Sequence, residues 1–481
     1  MEWKPDKVND LPLYKQISNY LESCILNGEW PSGSRLPSER NLAKTFRVNR
    51  STINSAFEEL KSSGLVQSIV GVGTVVSKNV WENDQNRTPN WDRFVKEGFY
   101  LSNNPINQMI YQLIQTEEKI INFGIGELHA DLLPMKLMEN VHRSMKLDGD
   151  LGYQHIQGNI KLREVISTHM KQYRNITASA SSILITSGAQ QAIHLIIQCL
   201  LCPGDSVANE NPSYAYSLPI FHSDGLNTHF LDVQDEGIDP EQIIDLYKKH
   251  RIKMIFLNPI HQNPTGTTLN LERRKKVMEI CNKYGIAIIE DDPYSLLTYD
   301  DEKMYSLKSM DTNGLVLYIS SLSKIISSGL RIGWISGPQP VIQRLADVKQ
   351  QIDFGHSNFS QWYATALLES PYFNEHIIEL RRGLKNKRDL IVEAFKHELH
   401  QDIRFIVPNG GIHLWCESNH KTINDQLLFN DAIKRGVIFA PGNTLGSQHN
   451  FFRFTYSRPE MNTIANGIHR FAEALKASIK K

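Results

Sequence analysis

From Ile121 to the C-terminus, short runs rich in β-branched and apolar residues alternate with helix-length segments, and few architectures accept that alternation. The runs are ILITS (183–187), SVANE (206–210), MIFLN (254–258), IAIIE (286–290), LVLYIS (315–320) and IGWISG (332–337). Helical patterns fill the gaps, for example Gln190 to Leu201 and Leu271 to Tyr284. Strands separated by helices pair mainly in parallel, with the helices on the sheet faces, so an α/β domain with a mainly parallel sheet is expected. Ligands of such sheets bind outside the carboxyl ends of the strands, and the residues that carry chemistry here fall at those ends.

The run SLSKIISSGLRIGW, Ser321 to Trp334, holds one lysine, Lys324, among serines, small residues and apolar residues, with Arg331 seven residues on. Desolvation and a neighbouring cation both disfavour the ammonium form, leaving an amine able to condense with an aldehyde. The hydroxyls of Ser321 and Ser323, with the Arg331 guanidinium, suit a phosphate dianion. An aldehyde and a phosphate on one small molecule suggest pyridoxal 5′-phosphate (PLP). On these residues alone, a strand-to-loop segment with a snorkelling lysine is an equal reading. Ser187-Gly188-Ala189-Gln190 ends another strand and opens a helix, where free N–H groups and the helix dipole make a phosphate cradle. Tyr214, after the strand that ends at Glu210, can stack on an aromatic ligand or sit in the core. The proline-set loop Asn258 to Gly266 presents Asn263 as a donor to a phenolate oxygen, and Tyr294 can donate to the same atom. Asp291, after IAIIE, can pair with a protonated pyridine nitrogen and so let the ring act as an electron sink, or can serve as a helix cap.

The first eighty residues read differently. Apolar residues at Leu13, Ile17, Leu21, Cys24 and Ile25 form a helical stripe ended by Gly28. A short second helix runs from Ser38, its N-cap, to Phe46. Asn49 can cap a third helix whose inward face is Ile53, Ala56, Phe57 and Leu60. The two are separated by a turn of about three residues, as in helix-turn-helix units. LVQSIVGVGTVVS then reads as a hairpin with the character of a wing. Composition decides where a polyanion could bind: the 481-residue chain has a formal net charge of zero. Between Arg35 and Arg50, however, stand five cations and one acid, Glu39, a local +4. Asn49, Arg50, Ser51 and Thr52 open the third helix with the side chains that suit phosphate positioning and base-edge contact.

Residues 79–117 read as a linker, rich in Asn, Asp, Pro and Thr but carrying Trp81, Trp91, Phe94, Phe99 and Tyr100, so its second half is expected to dock on the larger domain. The five cysteines are expected to be buried thiols; Cys199 and Cys202 form a lone CxxC with no second pair to complete a zinc site, and no metal is expected. With no apolar leader and no run of membrane-spanning length, a cytoplasmic protein is expected.

Two resemblances sharpen this reading. The segment from PLYKQ to GTVVS resembles the winged helix-turn-helix of the GntR family, through its LPSER turn, VNRST entry, EEL…GL continuation and GxGT wing. That resemblance implies DNA contact from Arg35, Ser38, Arg40, Asn49, Arg50, Ser51 and Thr52, with Gly71 at the wing tip. From about Ile121 onward the chain resembles the fold-type I, class I/II aminotransferases, the PLP-dependent transferase fold. This implies Lys324 as the Schiff-base lysine, Asp291 on the pyridine nitrogen, Asn263 and Tyr294 on the ring oxygen, and Tyr214 on the ring face. Ala189, Gln190, Ser321, Ser323 and Arg331 would hold the phosphate, and Tyr153 would reach it from a neighbouring subunit. Arg453 would clamp an amino acid carboxylate, with Gly126 on the substrate side. Joined in one chain, the two parts resemble the MocR transcriptional regulators. The domains are then 1–78, winged helix-turn-helix; 79–117, linker; and 118–481, aminotransferase-like, with a smaller α+β subdomain over about 370–481. A head-to-tail homodimer is implied, bound to double-stranded DNA and sensing PLP, an amino acid or another amine through an internal or external aldimine at Lys324. The sequence keeps Asn263 where some members carry an apolar residue, so an active aminotransferase with a DNA-binding head is the alternative.

Overall fold

The computed structural model describes residues 3–6, 11–77, 100–116, 120–145, 152–300, 304–420 and 423–479. The chain divides into two compact units, Met1–Gly98 and Phe99–Lys481.

In the first unit, helices α1 (Leu13–Leu26), α2 (Glu39–Phe46) and α3 (Arg50–Ser62) precede a hairpin of β1 (Val66–Ile69) and β2 (Gly73–Val76). The Ser38 hydroxyl caps α2 by accepting from Asn41 N at 3.3 Å. Arg47 then takes the left-handed conformation, φ 55°, which turns the chain into α3 within three residues. Asn49 stands at the cap position of α3 with extended backbone, yet its side chain makes no capping bond, contrary to the sequence reading. Ile53, Ala56, Phe57 and Leu60 of α3 are buried against Ile17, Leu21 and Ile25 of α1 and Leu42 and Phe46 of α2. The apolar stripes meet as their 3.6-residue period dictates. At the tip of the hairpin Gly71 adopts φ +81° and is exposed.

The larger unit is built on an eight-stranded sheet of order β4-β11-β10-β9-β8-β5-β6-β7. Its strands are β4 (Ile183–Thr186), β5 (Ser206–Asn211), β6 (Asn227–Gln234), β7 (Gly237–Ile238), β8 (Met254–Leu257), β9 (Ala287–Asp291), β10 (Val316–Ser321) and β11 (Gly333–Ser336). Strands β10, β9, β8, β5 and β6 run parallel. β11 is antiparallel to both β10 and β4, so β4 points the same way as β10. The carboxyl ends of β4, β5, β8, β9 and β10 therefore share one edge. The central strands are buried on both faces, and so is β4 at the edge of the sheet. Ile183 and Ile185 join one apolar cluster with Leu162, Ile166 and Leu367, while Leu184 between them joins Ile193, Ile196 and Leu345 on the other face. This period-two division explains why these strands read as continuous apolar runs. A short parallel pair, β3 (Ile121–Asn122) with β14 (Val437–Ile438), lies apart from that sheet.

A second, four-stranded antiparallel sheet has the order β12 (Ile403–Phe405), β13 (His413–Ser418), β16 (Phe451–Thr455), β15 (Ala440–Pro441). Phe452 and Phe454 of β16 pack with Phe395, Phe439 and Phe471, mostly edge-to-face.

Of the segment read as a linker, residues 79–99, with Trp81, Trp91, Phe94 and Phe99, and residue 117 lie outside the described residues. From Tyr100 the chain packs on the large unit: Gln198 Nε2 donates to the Tyr100 hydroxyl at 2.8 Å, and Leu101 N donates to Ser223 Oγ at 3.1 Å. Helix α4 (Pro105–Thr116) follows and buries Ile110. One expectation needs correction. The cysteines are not all buried: Cys202 is exposed and Cys199 half-buried. The large sheet is mainly parallel, as expected, with β11 and β7 antiparallel to their neighbours; β10 and β11 are joined by residues 322–332 rather than by a crossover helix. Among the described residues, no helix is long and apolar enough to cross a membrane.

Candidate functional site

The site starts from a glycine. Gly333 of β11 is in register with Ser321 on one side and Thr186 on the other, and so draws the ends of β10 and β4 together. A Cβ at Gly333 would lie 2.7 Å from the carbonyl carbon of Gly188, so only glycine permits this approach. Gly188, at φ +83°, turns the chain into helix α5 (Ala189–Leu200), whose first N–H groups have no partners within the helix. Arg331, also left-handed at φ 54°, donates from Nη2 to Ser187 O at 2.6 Å and from Nη1 to Ser328 O at 3.2 Å. Its guanidinium thus lies against the Gly188 turn. Ser321 Oγ accepts from Ser323 N at 3.4 Å. Ala189, Gln190, Ser321, Ser323 and Arg331 all line one cavity of about 540 Å³.

Lys324 lines the same cavity, and its Nζ donates to Gly126 O at 2.5 Å. Burial pulls its pKa down to about 8, against the opposing field of Glu127 and with help from Arg453. Asp291 ends β9 in register with Ile319 of β10, and its carbonyl accepts from Asn258 Nδ2 at 2.8 Å. Its Oδ1 is buried with no hydrogen-bond partner among the described residues. Burial, then the neighbouring Asp292, pushes the Asp291 carboxyl up to about 7. Asp292 itself points away into a buried ion pair with Arg174 Nε at 2.8 Å and accepts from the Tyr318 hydroxyl at 2.8 Å.

Arg453, on β16, reaches across to the same cavity. It donates from Nη1 to Asn263 Oδ1 at 3.0 Å and from Nη2 to Gly124 O at 2.6 Å, while its Nε is buried without a partner among the described residues. A guanidinium can only donate, so the Asn263 atom that faces it is the oxygen, and the amide's donor is Nδ2, which interacts with the Tyr294 hydroxyl. The Tyr294 hydroxyl lies 3.1 Å from His413 Nε2, and His413 Nδ1 lies 2.9 Å from Thr455 Oγ1. Burial, then Arg453 and Lys324, hold His413 well below the usual histidine range, so the ring is neutral. Tyr214 lines the cavity, and its N–H donates to Asn263 O at 3.0 Å.

Of the residues singled out from the sequence for this site, one stands apart. Tyr153 does not line the cavity; it is 88% exposed and its ring lies 5.8 Å from that of Phe354. Sequence reasoning missed His413, which reads as an ordinary polar position in a strand. Only the paired glycines before it, whose neighbourhood is too tight for side chains, signalled a special place. It also missed Glu127, and Asn107 and Tyr111 of α4, which complete the cavity wall. Glu210, at the end of β5, lines it too; burial raises its pKa to about 7 although Asn258 N donates to it at 2.9 Å.

In the first unit, Arg35, Ser38, Arg40, Asn49, Arg50 and Ser51 are exposed and Thr52 half-buried. Arg50 Nε pairs with Glu39 Oε2 at 2.8 Å, which ties the start of α3 to the start of α2. Arg35 lies at the foot of the wing: a Cβ at Gly73 would meet its Nε at 3.3 Å.

A winged helix-turn-helix and a fold-type I transferase body in one chain define a class, a DNA-reading head fused to an aminotransferase-like domain. Residues 118–471 match the family model of aminotransferase class I and II, and residues 13–76 match that of bacterial regulatory proteins of the gntR family. The chain belongs to the MocR-type regulators, in which these two families are joined. It is 37% identical over 478 residues to a Bacillus subtilis (strain 168) protein named uncharacterized HTH-type transcriptional regulator YisV, covering 99% of this chain and 98% of that one. To HTH-type transcriptional regulator NorG of Staphylococcus aureus (strain USA300) it is 31% identical over 450 residues, covering 92% and 99%. Among solved structures it is similar to Pyrococcus horikoshii kynurenine aminotransferase in complex with PMP, with a TM-score of 0.75 and 28% identity, covering 81% of this chain and 98% of that one.

Proposed function

We propose that this protein is a regulator of transcription that binds operator DNA through its winged helix and senses PLP, an amino compound, or both, at Lys324. The observation that carries the reading is the orphaned Oδ1 of Asp291, buried in the same cavity as a lysine whose pKa burial has lowered to about 8. A buried carboxylate oxygen without a partner is costly, and a protonated ring nitrogen would satisfy it. The other residues fit the same group. Ala189, Gln190, Ser321, Ser323 and Arg331 would hold the phosphate, Asn263 and Tyr294 the ring oxygen, and Tyr214 the ring face. When bound, PLP supplies an aldehyde that captures amines and a ring that withdraws electrons. The protein's part is to lower the pKa of Lys324, to hold Asp291 for the ring nitrogen, and to clamp a carboxylate with Arg453. For Tyr294 to donate to the ring oxygen, His413 must present Nε2–H to it while Thr455 donates to Nδ1.

The exposure of Tyr153 supports its use by a second copy of the chain, in a head-to-tail homodimer acting in the cytoplasm. On the DNA side, Arg35, Ser38, Arg40, Asn49, Arg50, Ser51 and Thr52 would meet backbone and bases, with Gly71 at the wing tip. A second reading, an aminotransferase that also binds DNA, is favoured by the completeness of Lys324, Asp291, Tyr294, Asn263 and Arg453 around one cavity.

Purified protein with added PLP should absorb in the visible, and Lys324→Ala should remove that band. DNA affinity should fall with salt, and Arg50→Ala should weaken it and lower the salt slope by about one. A colourless wild-type protein ends the cofactor reading; an Arg50→Ala protein of unchanged affinity ends the assignment of α3. Sustained exchange between an amino acid and an oxo acid would favour the enzyme.

A further inference from the structure

Each charged side chain of the cavity has a task on the reading above, except one. Arg331 faces the phosphate cradle, Lys324 the aldehyde, Arg453 a carboxylate and Asp291 the ring nitrogen. Glu210 is occupied by the Asn258 N–H and, at 3.4 Å, by Gln262 Nε2. Glu127 remains. It lines the cavity directly after Gly126, whose carbonyl holds the Lys324 ammonium. Its backbone is fixed, with Ser457 Oγ donating to its carbonyl at 2.6 Å and its own N–H donating to Ile125 O at 3.0 Å. Its carboxylate accepts one hydrogen bond, from Ser328 Oγ to Oε1 at 2.9 Å, and forms no ion pair with any described residue. Its field acts on Lys324. With Lys324 committed to an aldehyde, Glu127 keeps one hydrogen bond and no dedicated counter-charge among the described residues, and a ligand ammonium would supply one.

The neighbouring wall decides which ligand that is. Asn103, Asn107, Gln108 and Tyr111, from α4 and the residues before it, line the cavity with polar groups and no cation. A ligand with a second carboxylate would meet Glu127 with like charge and find no arginine or lysine beyond those already engaged. One with an apolar side chain would give Glu127 no counter-charge.

We propose that the site is built for a diamino acid, whose carboxylate meets Arg453 and whose distal ammonium meets Glu127. The proposal rests on the PLP reading and narrows it to one class of effector. In binding, the α-amine would exchange with Lys324 at the cofactor's aldehyde carbon, one C–N bond forming as the other breaks and Lys324 leaving as the free amine, while the distal ammonium would form a charge-assisted hydrogen bond with Glu127.

The test uses the full-length protein reconstituted with PLP and freed of excess cofactor, since free PLP reacts with diamines in solution. The absorption of the bound cofactor is titrated with L-ornithine, L-lysine, L-norleucine, L-glutamate and putrescine. L-ornithine or L-lysine should half-saturate at a concentration about tenfold or more below that of norleucine, the effect of one charge-assisted hydrogen bond. Glu127→Gln should erase that preference while keeping the cofactor band, and Glu127→Lys should turn it toward glutamate. Norleucine or glutamate matching the diamino acids in the wild-type protein would overturn the proposal. Putrescine matching them would overturn the carboxylate half of it. A band that none of the five alters sinks the proposal and leaves the cofactor reading standing, whereas a protein with no band sinks both.

Discussion

Lys324 and Asp291 work as a pair because burial moves their pKa values toward each other, to about 8 and about 7. An ordinary lysine, near 10.4, is almost wholly charged at neutral pH, and an ordinary aspartate, near 3.9, almost wholly ionised. Here both proton losses that favour PLP capture fall within one narrow window. Free amine at Lys324 accumulates as pH rises through about 8, and carboxylate at Asp291 as it rises through about 7. The rate at which added PLP is captured should therefore climb between pH 6 and 8 and level off near pH 9, read by stopped-flow absorbance. A rate still climbing steeply at pH 10 would mean that the lysine is not desolvated. The same burial has a cost in stability. The folded-state pKa of Asp291 lies above its unfolded value of about 3.9, so the stability it contributes is complete below that value and is lost as pH rises through about 7. Asp291→Asn should raise the Tm of the cofactor-free protein at pH 8, with the gain shrinking toward pH 4. The same substitution should reduce the further stabilisation that PLP gives, since that depends on affinity. A variant that loses Tm at pH 8 without cofactor would contradict the orphaned carboxylate.

At the scale of elements, the cradle depends on β11 as much as on the residues it presents. A Cβ at position 333 would stand 2.8 Å from Gly188 Cα and 3.1 Å from Ala189 N, all backbone atoms that no rotamer change can move. Gly333→Ala should cost about 1–3 kcal/mol of stability, as overpacking does, and should weaken PLP binding by displacing the start of α5. Thermal unfolding and a PLP titration of the variant check both, and unchanged values in both would remove Gly333 from its place at the centre of the site. This element also marks where the sequence is legible. Ile53, Ala56, Phe57 and Leu60 could be read as the buried face of α3 because helical periodicity states it directly. The central strands were legible because burial on both faces leaves an unbroken apolar run. β6, NTHFLDVQ, is half-exposed and mostly polar, so it leaves no such mark. The antiparallel direction of β11 is invisible in composition, since a strand's residues do not record which way it runs. Among site residues, those at the ends of apolar strands stood out, whereas His413 and Glu127 gain their meaning from partners far along the chain, Tyr294 and Lys324.

For the whole molecule, the decisive quantity is the free energy that links the two ligands. If an amine alters the affinity for DNA by some factor, DNA must alter the affinity for the amine by the same factor, whatever path connects the two sites. A ligand shifts a conformational equilibrium only by its differential affinity for the two states, about 1–3 kcal/mol in typical cases, or roughly 5–150-fold. The two binding events also differ in their response to salt. Net charge over the chain is zero while the Arg35–Arg50 segment carries five cations against one acid, so DNA binding should weaken steeply with salt. Amine binding in a buried cavity should change little. Reciprocity can therefore be tested at two salt concentrations, where the absolute DNA affinity changes by orders of magnitude and the two coupling factors must still agree at each. DNA selected in vitro for binding serves as the operator, L-ornithine as the amine, and oxo acids are left out so that no turnover can consume the ligand. The DNA affinity is measured with and without saturating amine, and the amine titration of the cofactor band with and without saturating DNA. Equal factors different from one are expected. A factor of one in both directions would leave a DNA-binding protein and a PLP-binding protein that merely share a chain, and sensing would have to be abandoned in favour of the enzyme.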